Sequence, residues 1–160
     1  MNKFLLCFLV LTITNSVFGQ SAFRKNTFYG QLAGNGIFLS VNYERQLTNK
    51  PGLGVRVGVG YASPDVKFRV TIPVGANFLV NLKNDKSFID VGIGATWSQT
   101  AVVKSSFSTI DDESHIVSLV PSIGYRHQAK WGLMWRIGFA PIINKYRFIP
   151  LPELSLGMRF

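Results

Sequence analysis

Two histidines and the hydroxyls around them are the first residues to examine for chemistry. Ser114 precedes His115, Ser118 follows it by three residues, and His127 stands further along. A serine nucleophile needs its base within hydrogen-bond reach. In an extended chain, residues three apart point to opposite faces, so His115 and Ser118 do not form a local pair, and His127 falls at the far end of the same segment. Asp111-Asp112-Glu113 offers hard oxygen ligands for a divalent cation. Three adjacent acids do not match the ligand spacing of a calcium loop, and they read as a solvated loop tip. Gly58-Val59-Gly60 is followed by no helix, so it is not a nucleotide-binding loop. Cys7 is the one cysteine and lies in an N-terminal apolar run. No metal site, no cofactor site and no catalytic residue is expected.

The more informative residues are isolated charges set between apolar neighbours: Glu44, Arg56, Arg69, Asp90, Arg126, Arg136, Glu153 and Arg159. Each sits in a stretch that alternates with a period of two, the mark of a strand with unlike faces. From Pro152 to Phe160 the even positions are Pro, Leu, Leu, Met and Phe, while the odd ones are Glu, Ser, Gly and Arg. Leu133, Trp135, Ile137 and Phe139 alternate with Met134, Arg136, Gly138 and Ala140. The same pattern fills Leu53 to Tyr61, Phe68 to Val80, Ile89 to Ser98, Val117 to Arg126 and Ile37 to Glu44, and a weaker strand covers Thr27 to Ala33. Turn-like segments separate them: 34–36, 48–52, 63–65, 83–86, about 103–114, 128–130 and 144–150. The count is eight strands.

Alternation does not say which face is inside. The polar face carries single charges of both signs and many glycines, which suits a narrow barrel interior where backbones crowd and charges must pair. Aromatic residues gather near strand ends: Tyr61, Phe68 and Trp97 toward one rim, Tyr43, Tyr125, Trp135 and Phe160 toward the other. Two such girdles fit headgroup levels. The longest connections, 103–114 and 144–150, fall on one side together with the short ones at 34–36 and 63–65, while every connection on the other side is short, half of the usual arrangement of an outer-membrane barrel. In hydrocarbon no sheet edge can be left open, so the first and last strands must pair. The fold expected is all-β: an eight-stranded antiparallel up-and-down transmembrane β-barrel.

Lys3 followed by the apolar run Phe4 to Ile13 and the small residues Val17 and Gly19 reads as a cleaved signal peptide over 1–19. The run is short for a spanning helix, which needs roughly 20 apolar residues. The barrel domain is then 20–160. Of the 17 Lys and Arg, only Lys3 leaves with the leader, so the rest still double the 8 Asp and Glu. These basic residues are scattered singly, with no cluster or helical stripe, which argues against nucleic acid and for an anionic headgroup layer.

The ending Leu154-Ser155-Leu156-Gly157-Met158-Arg159-Phe160 resembles the terminal strand of Gram-negative outer-membrane β-barrel proteins. Val41-Asn42-Tyr43-Glu44-Arg45 and Gly54 to Tyr61 are also similar to segments of small barrels of this kind. The resemblance implies a cell outer-membrane location and recognition by the barrel-assembly machinery through Leu154, Leu156, Met158 and Phe160. Met158 stands where the family often has an aromatic residue. The resemblance is specific for architecture and weak for function. The expected role is structural or surface-interacting, with no open pore, as a monomer in contact with membrane lipid. Lys67, Lys104, Lys145 and Arg147 fall at or near the outer rim and are candidates for lipopolysaccharide contact, since Lys and Arg make charge-assisted bonds to phosphate. Two alternatives remain open: a lipid-A-modifying acyl hydrolase or acyltransferase, and a secreted soluble barrel with its apolar face inward.

Overall fold

The computed structural model describes residues 23–61, 70–83, 86–98, 116–143 and 148–160. Their alternating sequences form strands β1 (Asn26–Ala33), β2 (Leu39–Gln46), β3 (Leu53–Tyr61), β4 (Val70–Lys83), β5 (Ser87–Ser98), β6 (Ile116–Gln128), β7 (Leu133–Phe139), β8 (Ile142–Ile143), β9 (Phe148–Ile149) and β10 (Pro152–Arg159). A short 3₁₀ turn, Gly34–Gly36, joins β1 to β2. Every pairing is antiparallel, and β1 pairs with β10, so the sheet closes on itself. The result is a closed barrel of eight staves.

Ten strands make eight staves because two are interrupted. Ile123 pairs with Phe139 in the β6–β7 ladder, and Leu119 pairs with Ile143 in the β6–β8 ladder. The register is the same on both sides of the gap, and at that register Pro121 faces Pro141. Neither ring nitrogen can donate to the ladder, so hydrogen bonding lapses there while the stave continues. Phe139 pairs with Pro152, and Ile142 with Ile149, again in one register. Hence β9 and β10 are one stave with a break at Pro150-Leu151. The sequence reading placed 148 and 149 in a connection. Their pairing with β8 moves them into the wall.

The two faces could hardly differ more. Outward, Val59 is 61% exposed, Leu156 60% and Phe28 53%; inward, Glu44 is 0% exposed and Arg126 1%. The outward apolar residues form cross-strand rows such as Val41 beside Val59 and Phe28 beside both Tyr43 and Met158. A water-soluble sheet protein buries such rows. Here they face away from the chain, and the charges occupy the interior. Among the described residues no helix is long and apolar enough to cross a membrane.

Both ends of the described chain lie at one end of the barrel, where Asn26 N donates to Phe160 O at 3.2 Å and Phe160 N to Asn26 O at 2.9 Å. The β2–β3, β4–β5 and β6–β7 connections lie at this same end. It is called the turn end below.

Candidate functional site

The only enclosed polar region among the described residues is the lumen, and it is stratified. At the turn end Leu79, Phe88 and Met134 are buried together with Gln46 and Gln128. These inward-facing apolar groups form a carbon-rich layer there.

The middle of the lumen is a chain of ion pairs. Arg126 Nη1 donates to Glu44 Oε1 at 2.6 Å and also reaches Asp90 Oδ2 at 3.4 Å, while its Nη2 donates to Thr27 Oγ1 at 3.2 Å. Arg136 Nη1 donates to the same Asp90 oxygen at 3.1 Å. Arg136 Nε lies 2.7 Å from Glu153 Oε1, an ion pair whose N–H is not aimed well enough to count as a hydrogen bond. Neutral side chains complete the shell: Asn77 Nδ2 donates to Asp90 Oδ1 at 3.2 Å, Gln31 Nε2 to Glu153 Oε2 at 2.8 Å, and Gln46 Nε2 to Glu44 Oε1 at 3.0 Å. The Arg136 guanidinium also lies 5.6 Å from the centre of the buried Tyr29 ring. The charged partners come from β2, β5, β6, β7 and β10, and the neutral ones from β1, β2 and β4. The network therefore reaches from wall to wall, as the width of an eight-stranded barrel allows.

The outer half contains a different device. The Gly34-Asn35-Gly36 turn does not project from the rim; all three residues are buried. Thr96 Oγ1 donates to Asn35 O at 2.6 Å, and Thr71 Oγ1 donates to Gly36 O at 3.1 Å. The Asn35 amide is oriented with its oxygen toward Arg56, because the reverse would set its NH₂ against guanidinium donors. In that orientation Arg56 Nη2 and Nε donate to it at 2.8 and 3.1 Å. Arg56 Nη2 also donates to Ser122 Oγ at 3.1 Å, and Nη1 has no hydrogen-bond partner. Folding the turn inward demands unusual backbone. Ala33 has φ 57° and Ile37 φ 76°, and Gly34 has φ 74°. The two non-glycine residues each store about 1–3 kcal/mol of strain, offset by the hydrogen bonds the turn makes inside. Above the turn, Val120, Ala140 and Ile142 pack with Ile37, Ile149 and Leu151.

Wall glycines make room for these side chains. A Cβ on Gly138 would lie 2.6 Å from Ile123 O and 2.8 Å from the Gly124 Cα, so β6 and β7 approach too closely for any larger residue there. A Cβ on Gly75 would lie 3.1 Å from Arg56 Nε, and one on Gly92 3.1 Å from Arg56 Nη2. These glycines form the floor on which Arg56 lies.

The residues singled out in the sequence are placed as follows. Glu44, Asp90, Arg126, Arg136 and Glu153 meet in one network. Arg56 is buried apart from any carboxylate, held by Asn35 and Ser122. Arg159 sits at the turn end, where its Nη2 donates to Arg24 O at 3.1 Å and its guanidinium lies 5.1 Å from the Phe23 ring centre. Leu154, Leu156, Met158 and Phe160 all face outward and are exposed. Ser118 is buried inside, while His127 on the opposite face stacks on Trp135 at 5.7 Å. Nine residues of strand separate the two, about 30 Å, so they are not brought together. Arg69, Lys67, Lys104, Lys145, Arg147, His115 and Asp111-Asp112-Glu113 lie outside the described residues. Among the described residues no cluster of His, Cys, Asp and Glu is arranged to hold a metal ion.

Sequence reasoning missed Asn35, Gln31 and Tyr29 as lumen residues. Period-two alternation could have found the last two. Nothing in Gly-Asn-Gly distinguishes an inward turn from an outward one.

With this geometry in hand, solved structures supply the comparison. The chain is similar to the N-terminal β-barrel domain of Pseudomonas aeruginosa OprF, with a TM-score of 0.60, 9% identity, and coverage of 85% of this chain and 96% of that one. It is also similar to the Yersinia pestis outer-membrane protein Ail in a phospholipid bilayer nanodisc, with a TM-score of 0.53, 13% identity, and coverage of 85% and 99%. The chain has the fold of eight-stranded outer-membrane β-barrels. No family model and no curated protein sequence matches it.

Proposed function

We propose that this chain is an integral outer-membrane barrel with a structural or surface-interacting role, no catalysis, and a lumen closed to diffusion. The observation that carries the reading is the inverted distribution of its residues. Apolar rows face outward around the whole wall, and the charged groups are buried inside. Only a hydrocarbon surround makes that arrangement stable, because water would drive such outward apolar rows to be buried, and the closed wall leaves no open sheet edge to lipid. The likeness to OprF and Ail supports the same membrane. Export would use the leader over 1–19, with cleavage near Gly19. Assembly would use the outward face of the last strand, Leu154, Leu156, Met158 and Phe160. The surface role would fall to the outer connections, where Lys67, Lys104, Lys145 and Arg147 would meet lipopolysaccharide phosphates.

Three features support a closed lumen: the apolar layer at the turn end, the ion-pair chain in the middle and the buried Asn35 turn beyond it. The test joins two measurements on detergent-purified protein. Heat-modifiable gel migration should show a folded barrel, and planar bilayers should show negligible conductance. Steady large-conductance steps from folded protein would overturn the closed lumen. Absence of heat-modifiability, with recovery of native protein in the soluble fraction, would overturn the membrane reading.

A further inference from the structure

The turn end of the described barrel carries a set of basic residues with few acids among them. Arg24, Lys25, Arg45, Lys50, Lys86 and Lys130 lie at the turn end, and none of them forms an ion pair with a described residue. They are spread round the rim. Arg24 and Lys25 precede β1, Arg45 and Lys50 flank the β2–β3 turn, Lys86 precedes β5, and Lys130 lies in the β6–β7 turn. Each junction at that end therefore presents at least one cation. In the sequence, the only acid in these junctions is Asp85. The connections at the opposite end are balanced by comparison: Lys67, Arg69, Lys104, Lys145 and Arg147 are matched by Asp65, Asp111, Asp112 and Glu113.

The level of this ring is fixed by the aromatic residues beside it. Tyr43 OH donates to Asn26 Oδ1 at 2.8 Å, and Tyr125 OH lies 2.8 Å from Ser87 Oγ. Both hydroxyls thus reach toward the turn end, while their rings stay on the apolar wall. Amphipathic rings sit where hydrocarbon meets headgroups, so the tyrosine tips mark that boundary. Arg45 lies two residues beyond Tyr43 in the same outward row and is exposed. Trp131 and Phe160, each 62% exposed, stand at the same rim. An outward arginine at a headgroup boundary directs its guanidinium along the rim toward water. A lipid whose acyl chains lie against Val55 and Tyr43 would place its phosphate beside it.

We propose that this rim is a binding surface for anionic phospholipid headgroups, selecting phosphatidylglycerol-type lipid over zwitterionic lipid in the leaflet at the turn end. The proposal rests on the membrane reading above. Its physical basis is an unopposed ring of cations at a level where the ligand's phosphate must lie, together with the attraction of basic groups to an anionic leaflet.

The test uses tryptophan quenching in phosphatidylcholine vesicles. Trp97→Phe removes the indole at the other end, leaving Trp131 and Trp135 to report on the rim. Brominated phosphatidylglycerol should quench this variant more than brominated phosphatidylcholine at equal mole fraction. The local enrichment should be roughly fivefold per engaged cation, weakening in high salt. Adding Arg45→Gln, Lys50→Gln, Lys86→Gln and Lys130→Gln, which leaves Arg24 and Lys25 in place, should reduce the difference severalfold while heat-modifiable migration is retained. Should that variant not refold, Arg45→Gln alone should reduce the difference. Equal quenching by the two lipids before neutralisation, or a difference left undiminished in either variant, overturns the proposal. Failure of the starting protein to show heat-modifiable migration would instead count against the membrane reading.

Discussion

The middle and outer layers of the lumen solve the same problem by different means. Both must satisfy polar groups that the closed wall turns inward and buries. The middle layer does so with opposite charges: Arg126 and Arg136 share Asp90 and take Glu44 and Glu153 at their flanks. Among the described residues the outer layer has one cation, Arg56, and no carboxylate pairs with it. It brings in backbone instead, turning the Asn35 loop inward so that its carbonyls accept from Thr71 and Thr96 and its amide from Arg56. The difference teaches that a closed wall fixes which groups face inward but not how they are satisfied. Charge pairing needs partners at matching heights on different staves. Where none stands opposite, a connection must supply the acceptor.

Several substitutions sharpen or break this contrast. The largest effect is expected in the charged layer. Arg126→Met leaves Glu44 without its cation, and breaking a buried pair in this way costs about 3–5 kcal/mol. Urea unfolding in detergent micelles should show it as a lower midpoint with unchanged slope. A midpoint equal to the starting protein's would mean the network contributes little and the contrast is empty.

Gly34→Val comes next. The residue has φ 74°, and a Cβ there would lie 2.7 Å from Gln31 Nε2 and 2.9 Å from Glu153 Oε2. Strain of about 1–3 kcal/mol should appear in the same titration, and loss of protection of the turn should appear in hydrogen exchange. If the turn stays protected, its buried placement is not what holds it.

Asn35→Ala removes the acceptor from Arg56 and leaves a buried guanidinium less satisfied, at a cost of about 1–3 kcal/mol. Adding Arg56→Leu should recover part of that loss, because no cation then needs the amide. A strictly additive double variant would show that the two residues do not depend on each other. The smallest effect is Thr96→Val. It removes one hydrogen bond to Asn35 O while keeping the shape of the side chain, and should cost about 0.5–1.5 kcal/mol.

The staves themselves were legible in the sequence to within a few residues. β3 is read over Leu53–Tyr61 and observed over Leu53–Tyr61; β6 gains only a residue or two at each end. The breaks in the last two staves at Pro141 and Pro150 were not read as interruptions; the sequence reads 144–150 as a connection. The pairing of Phe148 and Ile149 with Ile142 and Ile143 was not legible. A two-residue ladder carries no periodicity and exists only because both flanking strands are already in register.

The sequence by itself determined which residues share a face, because period-two alternation is a local property of an extended chain and every stave obeys it. It also required closure, since an apolar outer face in hydrocarbon tolerates no open edge. Only the tertiary structure decided that Arg126 reaches Glu44, 82 residues away, and that Asn35 folds inward to Arg56, Thr71 and Thr96. Those contacts depend on the stagger and width of the closed barrel, which set side-chain heights across the lumen and which no local pattern encodes.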